Sequence, residues 1–134
     1  MAVKPGSIDE TFLGTWRMVG VERIEVETGK RLDEDLVQTG YISYTPDHRM
    51  MVIISHVKPD GHEEITCYAA KWHIEGEAVI HSIDIAIRQP WVNTRQVRNF
   101  NFTGNRLTLT PPVSEDYVHK SVTRRSLTWE KVEG

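Results

Sequence analysis

The chain has 134 residues, a length suited to one domain, residues 1–134, with a core that needs no covalent staples. Its 39% hydrophobic and 26% charged residues are those of a soluble globular protein, and a formal net charge of -3 with no basic stripe excludes the usual signature of a nucleic-acid partner. A single cysteine, Cys67, excludes an internal disulfide, and no apolar run reaches signal-peptide or bilayer length, so a cytoplasmic protein with no membrane partner is expected.

Residues 1–12 read as a lead-in. Ser7 to Leu13 has the pattern of a short helical turn, with Ser7 as cap and Glu10 three residues later, and Phe12 and Leu13 would close one end of the core. Gly14 ends this turn. A strand over 15–27 follows, whose apolar parity switches near Gly20, the mark of a bulge. After the turn Thr28-Gly29-Lys30, residues 31–38 are polar and read as a loop with one helical turn, lying over the mouth of the fold.

The remaining strands are expected over 40–45, 50–57, 64–74, 78–87, 94–102, 106–110 and 121–132. Pro46-Asp47-His48-Arg49, Lys58-Pro59-Asp60-Gly61, Glu75-Gly76-Glu77 and Gly104-Asn105 are the turn signals between them, with loops over 89–93 and 111–117. Eight strands joined mostly by short hairpins are antiparallel neighbours, and eight is the number that closes into a barrel with room for side chains or one small ligand. The fold class is therefore all-β, an eight-stranded antiparallel up-and-down β-barrel.

Alternation assigns the inner faces. Val79, His81, Ile83, Ile85 and Ile87 share one, Tyr68, Ala70, Trp72 and Ile74 another, and Gln96, Arg98, Phe100 and Phe102 a third. With Ile42, Tyr44, Val52, Ile54 and His56 they give an apolar, aromatic cavity with a few polar groups, the make-up of a small-molecule site. His81, Arg98 and Tyr44 are the candidate catalytic groups: a histidine moves protons near neutral pH, an arginine holds a carboxylate or enolate-like oxygen, and a tyrosine donates to a carbonyl. His56, Tyr68, Trp72, Gln96, Phe100 and Trp91 are the candidate ligand contacts, Trp91 as a cap over the mouth after Pro90. Each has an alternative in plain packing, and Cys67, in a strand, reads as a small buried apolar residue.

The histidines show no ligand spacing with cysteine, and His73 lies on the parity opposite Trp72, so neither a metal nor another cofactor is expected. Residues 50–54 and 79–87 are apolar on both parities. This points to burial of the outer face as well, by a homodimer packed through these walls or by the N-terminal segment.

The stretch Leu13-Gly14-Thr15-Trp16-Arg17-Met18-Val19 resembles the start of a lipocalin. So do Gly40 to Met50, residues 81–91, Gln96-Val97-Arg98, Gly104 to Thr110 and Leu127-Thr128-Trp129-Glu130, in that order. From Leu13 onward the chain resembles the lipocalin-like domain family of the calycin superfamily, as found in small bacterial and fungal proteins. The resemblance implies a barrel with an internal pocket and a basic residue of the last strand over Trp16. Arg124 or Arg125 would fill that place, and Arg125 shares parity with Leu127 and Trp129. It implies no single function. Binding of a small, largely apolar ligand bearing a carbonyl or acid group is the first reading. A cofactor-independent isomerase, cyclase or lyase is the second, and an interaction module using its outer wall the third.

Overall fold

The structure, a computed structural model, describes residues 3–31, 37–111, 114–116 and 121–132. Most of the loop expected over 31–38 and part of that expected over 111–117 lie outside these residues. A short helix, α1 (Ile8–Phe12), precedes β1 (Gly14–Glu25), β2 (Val37–Tyr44), β3 (Arg49–Val57), β4 (Glu63–Glu75), β5 (Ala78–Ala86), β6 (Arg95–Thr103), β7 (Arg106–Thr110), β8 (Ser114–Asp116) and β9 (Ser121–Lys131). Neighbours in sequence pair antiparallel from β1 to β7; β7 then pairs with β9, and β9 with β1. The result is a closed eight-stranded antiparallel barrel, and the hairpin-rich sequence is the reason, because short turns leave antiparallel neighbours as the only pairing.

The short β8 falls in a stretch expected to be loop. Pairing of β7 with β9 ends at Leu109 opposite Leu127, Pro111 has no N–H to continue it, and the chain re-pairs at Ser114 opposite Thr123. β2 begins at Val37, earlier than the expected Gly40. In the β2–β3 turn His48 takes a positive φ of 61°.

Two bulges shape the wall. In β1 the register against β9 shifts between Met18 and Gly20, where the apolar parity switches. The second, between β4 and β5, corrects an expectation. Ile83 faces Ala70 but Ile85 faces Ala69, so β5 carries an extra residue and its parity reverses. Val79, His81 and Ile83 point inwards as expected, while Ile85 and Ile87 turn outwards and are 67% and 62% exposed.

The lower half of the barrel is solid. Phe12, wholly buried at the end of α1, inserts its ring among Tyr44, Trp72, Phe100 and Phe102, with centroids 4.9 to 5.7 Å away. Ser7 is the N-cap of α1, but its Oγ donates to Lys4 O, so the expected capping box with Glu10 does not form. Instead α1 is anchored by Trp16 Nε1 donating to Phe12 O at 2.9 Å, and by Asp9 against His48 Nε2 at 3.0 Å.

The basic residue over Trp16 is Lys131, not Arg124 or Arg125. Lys131 stands directly opposite Trp16 in the β1–β9 ladder, its Nζ lies 5.0 Å from the ring centroid, and it donates to Leu13 O. Arg125 pairs with Arg23, far up the strand, and Arg124 is exposed. The missing side chain of Gly14 has a double cause: its φ is 117°, and a Cβ there would lie 2.9 Å from Lys131 Cε.

Candidate ligand-binding site

Above the aromatic plug the barrel is hollow. A cavity of about 630 Å³ opens at the end away from α1. Its apolar wall is Ile42, Val52 and Ile54 on one side and Leu109, Leu127 and Trp129 on the other. Gln38, His56 and Glu64 form one row across the mouth, because β2, β3 and β4 pair them in register. Glu64 there is tied to Lys58 Nζ at 2.7 Å, which holds its carboxyl below the ordinary range. Trp91 sits in a single 3₁₀ turn, Gln89–Trp91, with the Arg88 guanidinium 5.2 Å from its ring centroid and Tyr68 edge-on at 6.1 Å.

The polar groups gather on β4, β5 and β6. His81 faces Trp72 on one neighbour and Gln96 on the other, and among the described residues it is the one buried polar or charged side chain in an otherwise hydrophobic core. Its ring is held between two phenols, with Nε2 2.8 Å from Tyr44 Oη and Nδ1 2.7 Å from Tyr68 Oη. Burial, with the cation of Arg98 second, pushes the His81 pKa down to about 3, so the imidazole is neutral at neutral pH. Burial pushes Tyr68 up to about 12, and Tyr44, deeper still, well above the ordinary tyrosine value, Tyr68 adding to its shift. Arg98 donates from Nη2 to Gln96 Oε1 at 2.7 Å and from Nη1 to Val97 O at 2.9 Å. Burial lowers its pKa, but a guanidinium stays charged.

A family model described as a lipocalin-like domain matches residues 60–132. The chain belongs to the lipocalin-like domain family. The match runs from the β3–β4 turn to the end of β9 and so contains Tyr68, His81, Gln96 and Arg98, while Gly14-Thr15-Trp16 lies outside it. Among solved structures, the chain is similar to a complex of bovine odorant binding protein with a selenium-containing odorant. That match has 12% identity and a TM-score of 0.54, covering 100% of this chain and 78% of that one. It is also similar to a de novo designed fluorescence-activating β-barrel, with 9% identity and a TM-score of 0.48, covering 92% and 96%. At such identities the first likeness shows a lipocalin-like barrel and nothing finer. No curated protein matches the sequence.

The lipocalin-like cavity brings together His81, Arg98, Gln96, Tyr68, His56 and Trp91 of the residues expected there. Tyr44 is not on its surface: it stands behind His81, wholly buried. Trp72 and Phe100, expected as ligand contacts, belong to the packed end around Phe12. Cys67 is on the outer face opposite Ile53 and only partly buried, because its parity is opposite that of Tyr68. His73 also points outwards, 2.5 Å from Glu75 Oε2, and no three His, Cys, Asp or Glu side chains converge among the described residues. Sequence reasoning missed Arg125, which lines the cavity. Its inner parity was legible, but its height in the barrel depends on the β1–β9 register, which no local signal gives.

Proposed function

We propose that this lipocalin-like protein binds a small, largely apolar molecule bearing a carbonyl or acid group. Its apolar body lies against Ile42, Val52, Ile54, Leu109 and Leu127, and its oxygen points towards Tyr68, Gln96 and Arg98. The observation that carries this reading is the cavity of about 630 Å³, within the range of ligand pockets, which is apolar on two sides and has polar groups on a third. The bovine odorant binding protein, a barrel of the same shape, is seen with an odorant. Binding is preferred to acid–base catalysis because both ring nitrogens of His81 are taken up by tyrosines, which leaves no lone pair facing the cavity.

Fluorescence titration with N-phenyl-1-naphthylamine, a neutral apolar dye, tests the pocket. Micromolar binding is expected, weakened at least tenfold by Ile54→Trp, which fills the space from the wall. Native mass spectrometry of protein purified from its own host then looks for a retained small molecule. A dye that does not bind, or binds equally well to Ile54→Trp, removes the reading.

A further inference from the structure

The hydrogen bonds around His81 fix the direction of every proton. Tyr44 Oη is wholly buried, and among the described residues its partner is His81 Nε2. A buried hydroxyl proton without an acceptor is costly, so Tyr44 donates to Nε2. A neutral imidazole has one N–H and one lone pair. With Nε2 accepting, the hydrogen is on Nδ1 and is donated to Tyr68 Oη at 2.7 Å. Tyr68 thus spends an oxygen lone pair on the ring and keeps its own proton for another acceptor. Both Tyr68 and His81 line the cavity.

The other groups at that depth are donors too. Arg98 uses two of its N–H groups on Gln96 and Val97 and has three more. Arg125 lines the same cavity, and among the described residues its buried Nε has no partner; the buried Nε1 of Trp129 is in the same state. Among the described residues no carboxylate is paired with either arginine. The cavity's Glu64 is at the mouth and held by Lys58. Burial, then the cations of Arg23 and Arg98, depresses the pKa of Arg125, and the strand register sets Arg98 and Arg125 level with one another on β6 and β9, either side of β7. Such an arrangement is costly unless something negative is shared between them.

We propose that the cavity selects an anion: a small apolar acid, held as its carboxylate or an equivalent oxyanion by Arg98, Arg125 and the Tyr68 hydroxyl. This rests on the pocket reading above and narrows it, because a neutral carbonyl compound uses one donor and leaves the second guanidinium uncompensated. Tyr44 and His81 are positioning residues. They make Tyr68 a donor rather than an acceptor.

The test is a pair of dyes with one skeleton, 1-anilinonaphthalene-8-sulfonate and the neutral N-phenyl-1-naphthylamine, which lacks the sulfonate. The wild-type protein is expected to bind the anion at least tenfold more tightly. Arg98→Met and Arg125→Met should each narrow that preference about tenfold, and Tyr68→Phe several-fold, the preference being read in each variant as the ratio of its own affinities for the two dyes. Retained binding of the neutral dye shows that each variant still has its pocket. Equal affinity for the two dyes in the wild type, or an unchanged preference in both arginine variants, overturns the anion proposal and leaves the pocket standing. If neither dye binds, the pocket reading fails and this proposal fails with it.

Discussion

A buried histidine that cannot take a proton makes stability depend on pH in a predictable direction. His81 is held at about 3 in the fold, chiefly by burial, against about 6.5 in an unfolded chain. Above about pH 6.5 neither state carries the proton and nothing is lost. As pH falls towards 3, the unfolded chain gains a proton that the folded ring refuses, and the fold loses about 1.4 kcal/mol per unit. Between pH 7.5 and 4.5 this group alone should lower unfolding stability by about 2–3 kcal/mol. The check is urea denaturation of the wild type and His81→Gln at both pH values. The carboxylates with lowered pKa values, Asp47, Glu64 and Glu75, are common to both proteins and cancel. Parallel pH profiles would show that His81 titrates normally. At this scale parity was a good guide: alternation alone put His81, Arg98, Gln96 and Tyr68 on inner faces. It was silent on depth, which is why Tyr44 was read as a wall of the cavity when it lies behind one, and why Arg125 was set over Trp16 in place of Lys131.

The elements were legible where the chain alternates and obscure where it inserts a residue. The β1 bulge showed itself because Gly20 sits between two apolar parities. The β5 bulge did not, because Ile83, Ile85 and Ile87 keep the same spacing across it, and an isoleucine reads alike on either face. The element whose weight was least visible is α1. Five helical residues have no stability of their own, yet they place Phe12 at the centre of four aromatic rings. That ring stops the barrel and sets the floor on which Tyr44 and then His81 rest. Phe12→Ala should therefore cost about 3–5 kcal/mol in urea denaturation, the range for a buried phenylalanine whose site does not collapse. A cost below about 1 kcal/mol would mean that α1 is a loose lid and that the floor is built by the strands alone.

At the scale of the whole molecule the barrel divides into a filled half and an open half, and its outer wall divides too. Most strands alternate inward apolar with outward polar residues, but β2 to β5 do not. Their outward rows are Tyr41, Ile53 and Cys67, and Ser43, Met51, Ala69 and Ile85. Ile87 extends the first row, its N–H bonded to Cys67 O. The bulge that turned Ile85 and Ile87 outwards thus adds to an apolar face that β3 had already begun. Five of these residues are half or more exposed or nearly so, and together they offer on the order of 500 Å² of apolar surface, the upper end of what a monomer usually shows. A standard interface takes about 800 Å² from each partner, so this wall supplies most of one. Arg49 and Asp84 at its lower edge neutralise each other at 2.8 Å, and the exposed Lys71, opposite Arg49 on β4, marks where the apolar face ends. A two-fold axis through the wall would lay the same rows against themselves, as a symmetric dimer requires. We therefore expect a homodimer through β2–β5, seen by sedimentation velocity at tens of micromolar and broken to monomer by Met51→Glu with Ile85→Glu. Because those side chains point away from the cavity, the double variant should keep the wild-type affinity for the neutral dye. A wild-type monomer across that concentration range would remove the dimer and leave the wall exposed in solution.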